Sequence, residues 1–252
     1  MLEIIDHGVV REVRLARPPV NALSRHLVEA LDEALRVAEG LARDPLRLRA
    51  VVLSGLPGVF SAGLDIREVV DSDESVRTLV LAFRALQERL VRSPFPVVVA
   101  ITGQCPAGAA VLAILCDHRI MARGDFHMGY SEVKVALYPG QRLYRCLTRV
   151  VGGTQAASML TRGLMLGSEQ ALACGLVDEL TAPDQVIVRA LELAHELAAL
   201  PLQAYQKTRA LVRAELIDIF EAPMESPEHA SVTGWVTDET RALIQRARAA
   251  RD

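Results

Sequence analysis

The sequence predicts an α/β body that extends to residue 182 and is followed by an all-helical C-terminal part. Candidate strands and helices alternate up to that point, whereas the later residues show only the apolar spacing that is typical of helices. Residues 97–102 are almost wholly apolar, as in a parallel strand that is covered on both faces. Because no linker rich in Pro, Gly and Ser divides the chain, we expect one body with a helical extension.

The N-terminal elements follow from apolar spacing and from proline. Residues 4–17 predict two short strands on either side of His7-Gly8. The Pro18-Pro19 pair then interrupts regular structure, because proline fixes its own φ and restricts the preceding residue. Ser24 is placed to cap a helix that ends before Asp44-Pro45. The apolar residues of this helix recur three or four positions apart, at Leu27, Leu31, Ala34, Ala38 and Leu41.

The remaining elements are separated by segments that contain glycine or proline. Residues 57–65 form a glycine-rich loop between a buried strand at 48–53 and a helix over 75–91. After Pro139 the pattern is mostly helical. The other predictions are a strand at 97–102, a turn at 103–107, a helix at 108–115, and short strands at 118–122, 126–128 and 176–180.

Composition and charge narrow the class of protein. Of the 252 residues, 51% are apolar, which is ample for a core without disulfide bonds. The 28 Lys and Arg nearly balance the 31 Asp and Glu, which argues against nucleic acid as a partner. The four cysteines show neither a CxxC pair nor the spacing of zinc ligands. With no signal-peptide pattern and no long uncharged apolar segment, we expect a cytoplasmic protein without a membrane span.

Two loops are the candidate functional segments. Residues 58–65 and 103–110 each join an apolar strand to a helix, and both contain small residues that let the backbone approach a ligand. The N–H groups at the start of a helix have no intrahelical acceptor and carry the positive end of its dipole. Two such loops meeting in space would form an oxyanion hole. The spacing alone favours two ordinary tight turns, and no GxGxxG or P-loop motif indicates a nucleotide site.

Several motifs, in the same order along the chain, resemble the crotonase superfamily, which is the enoyl-CoA hydratase/isomerase family. The resemblance covers essentially the whole chain. Residues 57–65, residues 105–108 and the segment around Trp235 look most like the 3,2-trans-enoyl-CoA isomerases of that family. The motifs that carry the resemblance are residues 17–23, 60–66, 101–103, 108–120 and 171–179, with Gly152-Gly153.

The resemblance implies a crotonase-like spiral of ββα units with a helical C-terminal extension. Residues 1–195 would form the core with the acyl-CoA site, and residues 196–252 would form a helical trimerisation region. The implied partner is an acyl-CoA thioester, so coenzyme A is part of the substrate and neither a separate cofactor nor a metal is expected. The implied assembly is a homotrimer or a hexamer.

The resemblance also implies the roles of individual residues. The backbone N–H groups of Leu64 and Gly108 would stabilise an enolate at the thioester oxygen. Glu132 matches one of the two glutamates that hydratases of the family use, and Val111 stands where the other would be. Because valine cannot activate water, simple hydration is in doubt. We expect the pKa of Glu132 to be raised, since its carboxyl group would lie beside an apolar acyl chain.

Seven residues are carried over as substrate-binding by position in the family. Ala62 and Ile66 would lie beside the adenine and the pantetheine arm, and Asp65 would orient the loop. Tyr138 would line the acyl pocket, and Val111 would stand where hydratases of the family have a glutamate. Arg25 and Arg67 are candidates for binding the phosphates of coenzyme A.

The reaction that these residues predict is the isomerisation of 3-enoyl-CoA to 2-trans-enoyl-CoA in fatty-acid breakdown. One carboxylate suffices, because it can take the C2 proton and return it at C4. The alternatives are an enoyl-CoA hydratase or an acyl-CoA hydrolase of the same family, or a non-catalytic subunit that binds acyl-CoA.

Overall fold

Ten strands in two sheets form the framework of residues 1–223 and 234–249, the part of the chain that the computed structural model describes. The strands are β1 (Leu2–His7), β2 (Val10–Leu15), β3 (Ala50–Ser54), β4 (Gly58–Val59), β5 (Val97–Ile101), β6 (Gly103–Pro106), β7 (His118–Ala122), β8 (His127–Gly129), β9 (Met165–Gly167) and β10 (Glu179–Thr181).

The helices of the described residues cover the two sheets and extend the C-terminal part. A 3₁₀ helix at Glu132–Val135 lies between β8 and α5. The α-helices are α1 (Arg25–Leu41), α2 (Ile66–Asp71), α3 (Asp73–Arg92), α4 (Gly108–Leu115), α5 (Gly140–Val151), α6 (Gly153–Arg162), α7 (Ser168–Ala173), α8 (Val186–Ala199), α9 (Leu202–Glu221) and α10 (Asp238–Ala249).

The chain passes repeatedly from one sheet to the other. The larger sheet has the order β1-β2-β3-β5-β7-β10, and the smaller sheet has the order β4-β6-β8-β9. Apart from the antiparallel pairs β1-β2 and β8-β9, neighbouring strands are parallel. Strands β3, β5 and β7 of the larger sheet are each followed by a strand of the smaller sheet and then by a helix. This repetition is the expected spiral of ββα units.

Local sequence explains why the main elements form. The Ser24 hydroxyl accepts a hydrogen bond from the Leu27 N–H at 3.3 Å and so caps α1 as expected. Every residue of β3 and β5 is buried, which agrees with their apolar composition. Both strands lie between α8 on one face and the main hydrophobic core on the other. This central packing fixes the ends of β3 and β5, from which the two candidate loops leave the larger sheet.

The predicted strands and helices need four corrections. Residues 58 and 59, expected to lie in a loop, form strand β4, because they pair with Gly103 and Gln104 of β6. Residues 103–106, expected to be a turn, form strand β6, because Gly103 lies against the backbone of Gly58 with no room for a side chain. Helix α2 and strand β9 were not predicted. Both are short, with six and three residues, so their apolar residues are too few to show a period.

Helix α9 is bound to the core by buried ion pairs between two of its arginines and Asp117. The Asp117 carboxylate accepts hydrogen bonds from Arg209 at 2.8 Å and from Arg213 at 3.1 Å. The predicted boundary between residues 195 and 196 falls inside α8. A trimerisation role for residues 196–252 stays a prediction. In the described ranges, every helix is too short or too polar to span a membrane.

Candidate functional site

The loops at residues 58–65 and 103–110 lie in direct contact. Gly63 has a φ of +81°, and a Cβ atom added there would lie 3.2 Å from the Gly108 nitrogen. A Cβ atom added at Gly108 would lie 3.3 Å from the Leu64 nitrogen. A side chain at either position would therefore press on the backbone of the other loop. The two loops meet as an oxyanion hole requires, instead of forming two independent turns.

The backbone N–H groups of Leu64 and Gly108 are available to a ligand. The Leu23 N–H donates to the Gly63 carbonyl at 2.8 Å, and the Asp65 N–H donates to the Leu23 carbonyl at 3.0 Å. Because N–H directions alternate along extended backbone, the Leu64 N–H faces away from Leu23. Gly108 is the first residue of α4, where an N–H has no intrahelical acceptor. Within the described residues neither N–H has an acceptor.

The start of α4 is held in place by the residue before it. Ala107 has a φ of +50°, a conformation that is strained for a residue with a Cβ atom. Its N–H donates to the Gly129 carbonyl at 2.8 Å, which ties the helix start to β8. Nearly every residue of α4 is buried, so the helix is fixed within the core. The Gly108 amide is therefore presented by a rigid element.

Asn21 anchors the other loop, and sequence analysis gave it no separate role. Its side-chain amide donates to the Phe60 carbonyl at 3.0 Å, and its backbone carbonyl accepts from the Ser61 hydroxyl at 2.7 Å. The Ala62 N–H donates to the Val20 carbonyl at 2.9 Å. These bonds fix the segment just before Leu64. The available sequence signal was the presence of Asn21 inside the motif at residues 17–23.

Glu132 is the candidate acid/base. It is the first residue of the 3₁₀ helix, and its Oε2 atom is enclosed without a hydrogen-bond partner among the described residues. Burial raises the pKa of Glu132 to about 7, opposed only by its own backbone N–H. The direction of this change agrees with the expectation of a raised pKa. A carboxyl group with this pKa can both accept and return a proton near neutral pH.

These groups share one cavity of about 360 Å³. Its lining comes from the loop after β4, from α2 and α3, from the start of α4, from residues 131–143 and from residues near the C-terminus. Most of the lining is apolar, and Glu132 is the sole carboxylate among its described residues. Such a cavity suits an acyl chain whose reacting end meets a few polar groups.

Seven of the ten predicted site residues line this cavity. The structure brings together the two candidate oxyanion-hole residues, the candidate base and four of the predicted substrate-binding residues. These seven are Leu64, Gly108, Glu132, Ala62, Ile66, Val111 and Tyr138.

Asp65, Arg25 and Arg67 lie outside the lining. The Asp65 carboxylate accepts from the Arg67 N–H at 3.1 Å, caps α2 and pairs with Arg17 at 2.9 Å. These contacts hold the segment after Leu64, and the role of Asp65 in orienting the loop stays a prediction. The Arg25 guanidinium lies 3.6 Å from Glu29. Phosphate binding by Arg25 and Arg67 stays a prediction.

One face of α3 and two C-terminal residues were missed as cavity lining. Val80, Phe83, Arg84 and Gln87 line the cavity at the i, i+3, i+4 and i+7 positions of α3. The sequence shows that these four residues share one face of the helix, but it does not show that this face lines a cavity. Trp235 and Ile244 lie far along the chain, and the Trp235 indole N–H donates to the Tyr138 carbonyl at 2.9 Å.

Comparisons with known proteins identify a family and a fold. The model of the family described as enoyl-CoA hydratase/isomerase matches residues 6–226. The human protein named "Enoyl-CoA delta isomerase 1, mitochondrial" is 34% identical over 208 residues, which are 81% of this chain and 67% of that protein. A Mycobacterium avium protein named "Probable enoyl-CoA hydratase echA17" is 33% identical over 210 residues, 83% of this chain and 78% of that protein.

A solved structure shows the same fold. The crystal structure of human mitochondrial delta3-delta2-enoyl-CoA isomerase has a TM-score of 0.83 and 26% sequence identity, and the match covers 100% of this chain and 99% of that chain. The predicted crotonase fold is thus confirmed. Because relatives named as isomerases and as hydratases are about equally similar, they support one family and not one reaction. The chain belongs to the enoyl-CoA hydratase/isomerase family and is an enzyme of that family.

Proposed function

We propose that this enzyme isomerises 3-enoyl-CoA to 2-trans-enoyl-CoA, with Glu132 as its single acid/base. The observation that carries the proposal is the composition of the cavity. Its described lining contains one carboxylate, in Glu132, together with the two available N–H groups of Leu64 and Gly108. Val111 lines the same cavity at the position where the resemblance places the second glutamate of hydratases. Moving a proton needs one base, whereas adding water across a double bond uses both carboxylates in that family.

The proposed reaction begins with the thioester oxygen between the N–H groups of Leu64 and Gly108. The Glu132 carboxylate removes a proton from C2, and the C–H electron pair forms the C1–C2 double bond of a dienolate. The negative charge on the oxygen is stabilised by the two N–H groups. Protonated Glu132 then gives the proton to C4, which leaves the double bond between C2 and C3.

The environment of Glu132 supports this role. The surrounding apolar lining disfavours the charged carboxylate and raises the pKa of Glu132 to about 7. A base with this pKa is strong enough to compete for the C2 proton once the dienolate is stabilised. Its conjugate acid is also weak enough to hold the proton until transfer to C4.

The proposal also includes the binding of coenzyme A, the assembly of subunits and the metabolic role. Coenzyme A would be held beside Ala62 and Ile66, with Arg25 and Arg67 near its phosphates. Assembly into trimers or hexamers, which mass-resolved size-exclusion chromatography tests, would involve residues 196–252. A place in fatty-acid metabolism follows from the substrate class.

An assay of purified protein with trans-3-hexenoyl-CoA and with crotonyl-CoA tests the proposal. We expect isomerisation of the first substrate, and hydration of the second far below the rates of ordinary hydratases. Glu132→Gln should lower kcat for isomerisation by roughly 10²–10⁴-fold, because the general base is lost. Glu192→Gln is the matched control, since Glu192 is 59% exposed on α8.

Other results would select an alternative. Hydration of crotonyl-CoA at ordinary hydratase rates would assign the hydratase reaction, and release of free coenzyme A would assign a hydrolase. Tight binding of acyl-CoA without turnover of either substrate would indicate a non-catalytic binding subunit.

A further inference from the structure

Helices α3 and α5 each place an arginine in the lining of the acyl cavity. These residues are Arg84 on α3 and Arg142 on α5. Among the described lining residues they are the cationic side chains, and Glu132 is the anionic one. A cavity that only encloses hydrocarbon gains nothing from the Arg142 guanidinium, because partial burial of a charge without an ion pair costs free energy.

The contacts of Arg142 leave most of its donors unused. Its Nη2 atom donates one long hydrogen bond, at 3.4 Å, to the Phe220 carbonyl, and its guanidinium carbon lies 4.7 Å from the centre of the Phe220 ring. No described carboxylate forms an ion pair with it. Glu88 attracts it electrostatically but is paired with Arg92 at 3.0 Å. A guanidinium has five N–H donors, so most of them remain for a ligand.

The position of Arg142 relative to the reacting atoms follows from α3. The Phe83 ring lies next to the oxyanion hole, because a Cβ atom at Gly108 would be 3.5 Å from its Cζ atom. Gln87 lines the cavity one turn further along, about 6 Å down the helix axis. The Arg142 guanidinium contacts Phe220, and the next residue, Glu221, pairs with Arg92 of α3 at 3.4 Å, so Arg142 lies beside this C-terminal part of α3. Arg142 is therefore on the part of the wall that the distal end of an acyl group would reach.

The electrostatics of the wall agree with an anionic ligand. Burial lowers the pKa of Arg142. Burial and then the charge of Arg142 lower the pKa of Arg84, which has further contacts of its own. The positive charge of Arg142 disfavours the charged form of Arg84, and an anion bound at Arg142 would offset that repulsion.

We propose that Arg142 recognises a carboxylate at the distal end of the acyl group. The favoured substrates would then be ω-carboxylated enoyl-CoA thioesters, which derive from dicarboxylic acids, and not plain hydrocarbon thioesters. This inference rests on the proposed function for the reaction, but it concerns binding and can be measured without turnover.

Calorimetric binding of saturated thioesters tests this inference, since these ligands cannot isomerise. Matched pairs of six, eight and ten carbons are used: hexanoyl- with adipoyl-CoA, octanoyl- with suberoyl-CoA, and decanoyl- with sebacoyl-CoA. We expect the carboxylated member to bind at least about tenfold more tightly for one or more lengths. Arg142→Met should abolish this preference. Arg145→Met, on the same helix but outside the lining, should keep it.

Two results would overturn the inference. One is equal or tighter binding of the plain thioester by the wild type at all three lengths, which needs no variant. The other is a loss in Arg142→Met that is the same for both members of a pair, because Arg142 would then contact coenzyme A itself. Absence of isomerisation would contradict the proposed function and leave the measured preference intact.

Discussion

Glu12 and Glu132 are two enclosed glutamates with opposite electrostatics. Glu12 on β2 is 1% exposed, and its carboxylate accepts hydrogen bonds from the Ser54 hydroxyl at 2.6 Å and from Arg14 at 3.0 Å. His7 lies 3.2 Å away on the same carboxylate. Burial alone would raise the pKa of Glu12, but these partners outweigh burial and lower it. Among the described residues Glu132 has no such partner at Oε2, and burial raises its pKa to about 7.

The difference shows that burial by itself does not make a carboxylate a base. A carboxylate whose lone pairs already accept hydrogen bonds is stabilised in its charged form and contributes to folding. One that is enclosed without partners is held ready to take a proton, at a cost to stability. Glu12 thus belongs to the framework of the larger sheet, and Glu132 belongs to the site.

The largest expected effect that separates Glu132 from Glu12 is the pH dependence of the reaction. Glu132 must be ionised to act as base, so kcat/KM for isomerisation should rise as pH increases through about 7. Between pH 5 and pH 8 we expect an increase of about 100-fold, since the ionised fraction changes by that factor. Steady-state rates with trans-3-hexenoyl-CoA measure it. Glu12→Gln should keep the midpoint, and a wild-type profile flat over this range would contradict the assignment.

The second prediction concerns the two loops whose N–H groups would stabilise the negative charge that forms when Glu132 removes a proton. Gly63→Ala would push the two loops apart, because its Cβ atom would lie 3.0 Å from the Pro106 carbonyl and 3.2 Å from the Gly108 nitrogen. We expect kcat/KM to fall by about 10²-fold, as for other small misplacements in active sites.

Gly8→Ala is the matched control for this variant. It introduces the same residue at a similar positive φ, +66°, with nothing within 4 Å of the new Cβ atom. Both variants should lose stability through backbone strain, as thermal unfolding would show, but only Gly63→Ala should lose activity. Full activity in Gly63→Ala would mean that the loops do not form the oxyanion hole.

The smallest effects are the opposite contributions of the two glutamates to stability. The pKa of Glu12 is lowered in the folded state, so its stabilisation is present above the unfolded pKa and is lost as pH falls through the folded pKa. At pH 7, Glu12→Gln should cost about 2 kcal/mol of unfolding free energy, and the difference from wild type should shrink below about pH 4.

Glu132 should show the reverse. Its folded pKa is raised, so the associated stability is present below the unfolded pKa and is lost as pH rises through about 7. Glu132→Gln should therefore become more stable than wild type by about 1–2 kcal/mol between pH 5 and pH 8. Urea denaturation at several pH values measures both variants. Parallel pH dependence of the two would contradict the contrast between these residues.

Much of the fold was predictable because its elements have strong local signals. The cap at Ser24, the apolar strand β5 and the helix at residues 108–115 depend on neighbouring residues, so spacing alone located them. Strand β6 was predicted as a turn because its pairing with β4 and β8 comes from distant parts of the chain. Helix α2 has only one buried residue, Val69, and gave no periodic signal.

The candidate site also has some residues that the sequence could indicate and others that it could not. Leu64, Gly108 and Glu132 could be named from motifs that the family resemblance supplied. Nothing in their spacing showed that the two loops touch or that Glu132 lies in the same cavity. Arg84 and Arg142 were indistinguishable in sequence from surface arginines, because a helical period gives a face but not what covers it.

The sequence by itself determined the longer strands and helices and their order, the apolar strands at the centre and the glycines that permit close approach of two loops. Only the tertiary structure decided that, among the residues it describes, the amides of Leu64 and Gly108 share a cavity with the Glu132 carboxylate and two arginines. The physical reason is that periodicity and backbone freedom are local properties of the chain. Desolvation and charge pairing, in contrast, depend on which distant residues pack together.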